Sequence, residues 1–313
     1  MSSPTSESWR LADIPDQAGR TIIVTGPSVG GLGFHTALEL ARRGGHVVLA
    51  GRTPRKLDET RGAILEEVPD ATLEQLQVDL ADETSVRRAA ADAAAYGPIH
   101  VLVNNAGVMG TSRAVTTDGL DLQLATNHFG PFLLTGLLFP QLVESGAGRV
   151  VTVSSTMHRV ARSAPLGDPM AHRGVYFKWN VYGQSKLANL LFTYELDRRA
   201  REAGLPVHAM AAHPGFAGTH LAANGQYGRP AGGIATILDG TIKAISQPAA
   251  HGAWPLLMAA TADLPGGTYV GPGGLGQMNG APQVVTSSGA AHDADAQRRL
   301  WELSEQVTGL RWP

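Results

Sequence analysis

The sequence predicts an α/β fold, in which a single domain is built on a doubly wound parallel sheet of about seven strands with helices on both faces. Short and nearly continuous apolar runs recur along the chain, segments of helical length separate them, and a glycine-rich turn follows the first run. Strands that are buried on both faces are apolar throughout, and parallel pairing needs a crossover helix between strands. Right-handed crossovers then give a Rossmann-type fold.

The predicted strands are apolar runs bounded by glycine, polar or charged residues. They are Thr21 to Val24, His46 to Ala50, Leu73 to Val78, Ile99 to Val103, Arg149 to Val153, Val207 to Ala211 and Thr268 to Pro272.

The segments between these strands have helical length and composition. The first predicted helix stops at Gly44-Gly45, because glycine favours a helix C-terminus. The C-terminal helix places Ala296, Leu300, Leu303, Val307 and Leu310 on one face. The other predicted helices are Phe34 to Arg43, Pro54 to Glu67, Glu83 to Tyr96, Asp118 to Leu142, Val181 to Ala203 and Ala249 to Ala260.

Outside this alternation, two segments have a different composition. We interpret residues 1–18 as a polar tail and docking segment, anchored by Trp9, Leu11 and Ile14, ahead of a single domain over residues 19–313. Residues 216–250 are rich in glycine, alanine and polar groups, and we expect them to cover the substrate.

The composition excludes several classes of function. The chain has 313 residues, 43% of them hydrophobic, a net charge of −2 and no cysteine. Without a basic block we expect no nucleic-acid partner, and without cysteine there is no disulfide or thiolate metal site. The histidines form no compact ligand pattern with acidic partners, so no metal is expected. The sequence contains no run of about 18 apolar residues, so no membrane span is expected. The start lacks signal-peptide order, which favours the cytoplasm.

A glycine-rich turn joins the first predicted strand to the first predicted helix. It reads Thr25-Gly26-Pro27-Ser28-Val29-Gly30-Gly31-Leu32-Gly33. Glycines permit positive φ and close backbone approach, and the N-terminus of the helix directs unpaired N–H groups at an anion. The turn alone also fits an ordinary strand–helix connection, but its context favours dinucleotide binding.

Tyr182 and Lys186 are four residues apart, which places them on one face of a helix. An ammonium beside a phenol favours the phenolate, so we expect Lys186 to lower the pKa of Tyr182 from its usual value of about 10. Such a phenol can exchange a proton near neutral pH. The spacing alone also fits an exposed helix pair, but Ser154-Ser155 upstream strengthens the catalytic interpretation.

Together these motifs resemble those of the short-chain dehydrogenase/reductase family, and within it the retinol-dehydrogenase-like branch of NADP-dependent oxidoreductases. The resemblance covers about residues 10 to 312 and is specific for the family, not for a substrate. One departure is that four residues separate Gly26 from Gly31, where the family usually has three. The matching pieces are the glycine turn, Phe34 to Ala37, Asn104 to Gly107, Asn127 to Thr135, Val153 to Ser155, Tyr182 to Asn189 and His213 to Gly215.

The resemblance implies an enzyme that interconverts an alcohol and a carbonyl. It implies that Tyr182 is the general acid/base, that Ser155 hydrogen-bonds the substrate oxygen, and that Lys186 binds the nicotinamide ribose. Asn127 would hold a water that links Lys186 to solvent. The stretch between Ser155 and Tyr182, which lie 27 positions apart, is expected to form part of the substrate rim, and candidate substrate contacts are His158, Trp179 and Phe216.

The cofactor is expected to be NADP(H) in preference to NAD(H). Arg52 follows the second strand, where an acidic residue would favour NAD, and a guanidinium can pair with a 2′-phosphate. We expect a lipophilic carbonyl or alcohol substrate, and a homodimer or homotetramer through the Asn127 and Tyr182 helices. The cofactor-binding residues implied are Gly26, Ser28, Gly30, Gly31, Leu32, Gly33, Arg52, Asp79, Leu80, Asn105, Ala106, Gly107, Tyr182, Lys186, Pro214, Gly215 and Thr219.

Two rival interpretations stay open at this point. A non-catalytic dinucleotide sensor or scaffold would explain the altered glycine turn, but it has no need of a Ser/Tyr/Lys set. An epimerase or dehydratase of nucleotide sugars is disfavoured by Asn104 to Gly107 and by the short C-terminal region.

Overall fold

The structure is a computed structural model, and it describes residues 8–164, 175–216 and 247–313. In this part of the chain the strands form one eight-stranded sheet of order β3-β2-β1-β4-β5-β6-β7-β8. All pairs are parallel except β7–β8, which is antiparallel. The strands are β1 (Thr21–Thr25), β2 (His46–Gly51), β3 (Leu73–Gln77), β4 (Val101–Asn104), β5 (Gly148–Val153), β6 (Val207–Ala212), β7 (Tyr269–Pro272) and β8 (Pro282–Val284).

Helices cover both faces of the sheet, as the apolar strands require. The α-helices in the described residues are α1 (Leu32–Arg42), α2 (Pro54–Glu67), α3 (Glu83–Asp92), α4 (Leu122–Leu124), α5 (Gly130–Glu144), α6 (Lys178–Glu202), α7 (Ala249–Gly252), α8 (Trp254–Thr261) and α9 (Ala294–Thr308). None of them is long and apolar enough to cross a membrane.

The predicted Rossmann-type architecture is confirmed, and the hydrophobic core lies in two layers. One layer packs α1, α2 and α8 on one face of the sheet, and the other packs α3, α5 and α6 on the opposite face. Alternate residues of β1 divide between them, since Ile22 and Val24 belong to the first layer and Ile23 to the second. This alternation follows from the two-residue period of a strand. Ile14 is buried in the first layer, where Trp9 and Leu11 also pack.

Two differences from the sequence prediction bear on the sheet and on the site, while the helix predicted from Ala249 to Ala260 is divided into α7 and α8. The strand β8 was not predicted, because it has three residues of which two are exposed, and so it lacks an apolar run. The long helix predicted from Asp118 starts at Leu122 and contains one π-helical turn, Ala125–Phe129, between α4 and α5. Single π-helical turns often occur at functional sites, and this one contains Asn127.

The C-terminal helix α9 packs along α6, and it also contacts α5 through Trp301. Trp301 of α9 is buried, with ring centroids 5.0 Å from Phe132 and 5.9 Å from Phe192. Beyond the end of α9, Trp312 lies 5.2 Å from Phe139. Leu310, predicted as part of the helix, follows its end and packs in the same layer. The helices α5 and α6, against which α9 and Trp312 pack, are the two that were predicted to form an oligomer interface.

Candidate active site

The glycine-rich turn connects β1 to α1 at the edge of the sheet where the parallel strands end. The N–H of Gly31 donates to the carbonyl of Ser28 at 2.9 Å, and Gly30 between them has φ of +73°. This β-turn accommodates the additional residue, and glycine suits the positive φ. The carbonyl of Pro27 accepts a hydrogen bond from Thr60 Oγ1 at 2.8 Å, which ties the turn to α2.

The glycine turn is packed tightly against the loop that follows β4. A Cβ on Gly33 would lie 2.5 Å from Asn105 Nδ2, and one on Gly26 would lie 2.9 Å from Ala106 Cα. Asn105 Nδ2 donates to the carbonyl of Thr25 at 2.7 Å. Thr25 Oγ1 in turn accepts from the N–H groups of Asn105 and Ala106, both at 3.0 Å. The two loops therefore fix one another, and only glycine allows this approach.

A cavity of about 440 Å³ opens between these loops, beside the switch point where the strand order reverses between β1 and β4. Open α/β sheets bind ligands at such a switch point. Thr25, Thr53 and Thr111 line it although they are not among the predicted cofactor residues, and Lys56, which the sequence places near Arg52, lines it as well. Predicted cofactor residues that line it are Gly26, Ser28, Gly31, Leu32, Arg52, Asp79, Leu80, Asn105, Ala106 and Gly107.

Several observations show that this cavity fits a dinucleotide. The N-terminus of α1 lies on its wall, and Gly31 caps that helix without a side chain that would satisfy the first N–H groups. Such an N-terminus binds phosphate. Gly26 and Gly33 leave open the space that a Cβ would fill. These backbone groups would hold the pyrophosphate, and Asn105 to Gly107 would flank the adjacent ribose.

Arg52 and Asp79 face each other at the rim of the cavity. Arg52 Nη1 lies 3.6 Å from Asp79 Oδ2, and the Arg52 side chain is 72% exposed. An ion pair this long and this exposed contributes little to stability. The guanidinium therefore remains available to an anionic ligand, and Lys56 adds a second positive charge on the same wall.

Ser155, Tyr182 and Lys186 come together where β5 ends and α6 passes over it. The hydroxyl of Ser155 lies close enough to the phenol of Tyr182 to lower its pKa. Lys186 Nζ lies 5.7 Å from the centre of the Tyr182 ring. It is also close to the cofactor cavity, because a Cβ on Gly107 would lie 3.6 Å from it. The structure thus joins the predicted catalytic set to the predicted cofactor site.

Burial dominates the electrostatics of this set. It raises the pKa of Tyr182 to about 12, and the hydrogen bond from Ser155 opposes that change. Burial also lowers the pKa of Lys186 to about 8. The pKa of Tyr182 therefore shifts in the direction opposite to the one predicted from Lys186, because burial penalises the charged phenolate.

Asn127 braces the loop after β4 from the π-helical turn. Its Oδ1 accepts from the N–H of Val108 at 2.8 Å, and its Nδ2 donates to the carbonyl of Val108 at 2.9 Å. Nδ2 also donates to Ser185 Oγ at 2.9 Å, which links the brace to α6. The structure therefore assigns the side chain a positioning contact, and its part in a water relay stays a prediction.

The predicted substrate contacts do not all lie at the site. The Trp179 ring is nearly perpendicular to that of Tyr182, with centroids 6.4 Å apart. Phe216, just after β6, is 44% exposed. His158, in contrast, is completely buried and cannot be reached by a substrate. Its predicted place on the substrate rim is therefore wrong. Its side chain turns inward to satisfy backbone groups instead.

The remaining predicted cofactor residues lie around the cavity or outside the described residues. Gly30 lies in the glycine turn and Gly33 in the first turn of α1, and neither lines the cavity. Pro214 and Gly215 close β6 at the same edge of the sheet, and Gly215 has φ of +66°. Thr219 and most of the predicted substrate-covering segment, 216–250, lie outside the described residues.

Gln123 is a site residue that the sequence analysis missed. It is buried, and its Oε1 accepts from the N–H of Gly110 at 2.8 Å. Its Nε2 donates to the hydroxyl of Tyr176 at 2.8 Å and to the carbonyl of Lys178 at 3.1 Å. This amide joins the loop after β4 to the start of α6. A glutamine in a helix carries no sequence signal for such a role, whereas Thr25 could have been found from its place before Gly26.

A glycine-cradled cavity at a switch point, beside a Ser–Tyr–Lys set, defines the class of dinucleotide-dependent oxidoreductases. Comparison with known proteins specifies the family. The family model described as short chain dehydrogenase matches residues 20–167. Mouse polyprenol dehydrogenase is 38% identical over 307 residues, which cover 96% of this chain and 87% of that protein. Human retinol dehydrogenase 13 is 36% identical over 302 residues, covering 94% and 86%.

A solved structure agrees with these relatives. The crystal structure of an uncharacterized protein from Mycobacterium paratuberculosis matches with a TM-score of 0.81 and 41% identity, covering 98% of this chain and 99% of that one. The chain belongs to the short-chain dehydrogenase/reductase family, in its retinol-dehydrogenase-like branch. It is an NAD(P)-dependent oxidoreductase that interconverts an alcohol and a carbonyl. The comparisons lend no support to a non-catalytic sensor.

Proposed function

We propose that this oxidoreductase is NADP-dependent, and that Tyr182, Ser155, Lys186 and Asn127 form its catalytic set. The observation that carries the proposal is the contact between the Ser155 hydroxyl and the Tyr182 phenol, with Lys186 placed between that pair and the cofactor cavity.

The nicotinamide cofactor supplies or accepts the hydride when it is bound. The chain supplies the proton: in reduction, the Tyr182 hydroxyl gives its proton to the carbonyl oxygen of the substrate, and in oxidation the phenolate takes it back. Ser155 donates to the same oxygen without competing as a base. The Lys186 ammonium stabilises the phenolate that forms, and it reduces the rise in free energy that burial causes.

The preference for NADP(H) over NAD(H) is supported by Arg52. The second strand ends in Ala50-Gly51-Arg52, and the guanidinium stands at the rim of the cavity, mostly in solvent. A planar guanidinium can contact a phosphate through two hydrogen bonds, and this favours the 2′-phosphate. Asp79 would move from its contact with Arg52 toward the adenine.

The proposed substrate is a lipophilic alcohol or carbonyl. Trp179 presents an aromatic surface next to Tyr182, and Phe177, just before α6, is 67% exposed. Two relatives are named for polyprenol and retinol, both lipophilic alcohols. A cytoplasmic location and a homodimer or homotetramer also stay predictions. An oligomer through α5 and α6 would need a surface that α9 leaves uncovered.

Titration with NADPH and with NADH, followed by nicotinamide fluorescence, tests the proposal first. Tight binding of NADPH with much weaker binding of NADH supports the role of Arg52. Decanal and benzaldehyde are then offered with NADPH to the wild type and to Tyr182→Phe. Failure to bind either nucleotide would contradict the proposed cofactor site.

A further inference from the structure

The imidazole of His158 is buried directly behind Ser155, and its two nitrogen atoms have different partners. The backbone N–H of Ser288 donates to His158 Nε2 at 3.0 Å. Because a backbone N–H can only donate, Nε2 carries no proton, and the neutral ring carries its proton on Nδ1. Nδ1 lies 2.6 Å from the carbonyl oxygen of Ser155, so Nδ1–H donates to that oxygen.

The Ser155 carbonyl therefore accepts two hydrogen bonds from one residue, since the backbone N–H of His158 also donates to it at 3.0 Å. Next to His158, the guanidinium of Arg159 donates to the carbonyl of Thr286. The turn that carries Ser155 is thus fastened at two points to residues 286–288, which follow β8. On its other side, Ser155 Oγ accepts from the N–H of Met157 at 3.2 Å.

The surroundings of the imidazole keep it neutral. The Tyr269 ring of β7 packs perpendicular to it, with centroids 5.8 Å apart. Besides Tyr269, Arg159 from its own turn and His213 from the end of β6 act on the charge of the imidazole. Burial lowers the pKa of His158 to about 4, with Arg159 adding to the effect. The hydrogen-bond pattern therefore persists at neutral pH.

We propose that His158 is a positioning residue: its Nδ1–H holds the Ser155 carbonyl, and so it keeps the Ser155 hydroxyl directed at the Tyr182 phenol and the substrate oxygen. The inference rests on the role of Ser155 in the proposed function. Because His158 is buried, it acts through Ser155 and not on the substrate.

Two substitutions separate the two hydrogen bonds. In His158→Asn the amide nitrogen takes the place of Nδ1 and can still donate to Ser155. In His158→Gln the amide oxygen takes the place of Nε2 and can accept from Ser288, but the donor to Ser155 is lost. Small displacements of a reacting group can reduce a rate by about 100-fold. We expect kcat to fall by about 10- to 100-fold in His158→Gln and by less than about threefold in His158→Asn, with the KM for NADPH unchanged in both.

Ser288→Ala is the matched control, because it removes the hydroxyl and keeps the backbone N–H that His158 accepts. It should retain wild-type kcat. Equal losses of kcat in the Asn and Gln variants, in proportion to their losses of Tm, would show that His158 only fills space and would overturn the inference.

A spectroscopic measurement tests the geometry without any substrate. In ¹⁵N-histidine NMR at pH 7, the signal that disappears in His158→Asn should be that of a neutral ring protonated on Nδ1. A ring protonated on Nε2 would contradict the inference.

The kcat of Ser155→Ala separates this inference from the proposed function. If Ser155→Ala keeps full activity, the proposed role of Ser155 is wrong. Loss of kcat in Ser155→Ala with no loss in His158→Gln would overturn only the positioning role of His158.

Discussion

The ammonium of Lys186 donates a hydrogen bond to the backbone carbonyl of Val153 at 3.0 Å, and the residue is only 5% exposed. The same carbonyl accepts from Asn189 Nδ2 at 3.0 Å. Among the residues that the structure describes, no carboxylate pairs with this ammonium. A buried cation that has only a carbonyl partner lowers the stability of the fold, so the position of Lys186 opposes folding.

Replacing Lys186 by methionine should therefore stabilise the protein while it removes activity. The folded pKa of about 8 lies below the ordinary value of 10.5. Below pH 8 the ammonium is charged in the folded and in the unfolded protein, so the full cost of burying the charge is present. Between pH 8 and 10.5 the unfolded chain keeps a proton that the folded protein has lost, so the free energy of unfolding rises with pH. At pH 7 we expect Lys186→Met to gain up to about 3 kcal/mol.

Urea unfolding of the wild type and of Lys186→Met, at pH 7 and at pH 9.5, measures this gain. The advantage of the variant should shrink as the pH rises. Exposed Lys56→Met is the control and should change stability little. An equal advantage at both pH values would show that burial does not lower the pKa of Lys186, because the folded and unfolded states would then hold the proton equally.

Tyr182→Phe should abolish most of the turnover and leave the fold intact. The hydroxyl is the proposed proton donor, and general acid–base catalysis contributes about 10²- to 10⁴-fold. We expect kcat to fall by that factor with NADPH affinity unchanged, as measured by steady-state kinetics and fluorescence titration. Tyr96→Phe is the control, since its hydroxyl donates to the carbonyl of Gln75, away from the site. Full activity in Tyr182→Phe would remove Tyr182 from the mechanism.

The sequence predicted the fold because its signals are local. Apolar strands that alternate with helices predicted a parallel sheet. The helix α2 was predicted with the same limits that the structure has. The strand β8 was missed because an exposed three-residue edge strand pairs through its backbone and needs no apolar pattern.

The candidate site was predicted less completely, because some of its features arise only in three dimensions. His158 has the polarity of a rim residue, yet the chain folds its ring inward to pair with Ser155 and with Ser288, 130 residues further along the chain. The pKa of Tyr182 depends on how much water its surroundings exclude, and a four-residue spacing cannot report that. Gln123 was missed for the same reason.

Arg52→Ala should weaken the binding of NADPH and have little effect on that of NADH. The guanidinium at the cavity rim is the proposed partner of the 2′-phosphate, which NADH lacks. Charge-assisted hydrogen bonds contribute about 1.5–3 kcal/mol, so we expect the Kd for NADPH to rise by about 10- to 100-fold. Arg61→Ala removes an exposed arginine from α2, outside the cavity wall, and is the control. Equal loss of both nucleotides would contradict the assignment.

Gly33→Ala should destroy the cofactor cradle. The new Cβ would lie 2.5 Å from Asn105 Nδ2 and 2.7 Å from the carbonyl oxygen of Gly26, so the glycine turn and the loop after β4 would have to separate. We expect NADPH affinity to drop by at least about 10-fold together with a loss of about 1–3 kcal/mol in stability, the usual effect of overpacking. Gly62→Ala is the matched control.

Gly62 lies in α2 with nothing within 4 Å of an added Cβ. Alanine is the better helix former, so Gly62→Ala should be stabilised by about 0.5–1 kcal/mol and keep its affinity. If Gly33→Ala behaved like Gly62→Ala, the close packing of the two loops would not matter for cofactor binding.

Trp312→Ala should test how far the C-terminal segment shields α5 and α6. Trp312 packs on Phe139 and Trp301, with ring centroids 5.2 and 4.8 Å away, and a Cβ on Gly136 would meet its Nε1 at 2.6 Å. Truncating a packed aromatic costs about 3 kcal/mol, and it uncovers apolar surface on α5. We expect a lower Tm, unchanged NADPH affinity, and a larger mass by light scattering than the wild type has under the same conditions.

Trp254→Ala is the control: it removes a tryptophan on the opposite face of the sheet and should lower the Tm without changing the mass. The same mass for the wild type and Trp312→Ala, with the expected loss of Tm, would show that the C-terminal segment stabilises the fold but does not limit association through α5 and α6.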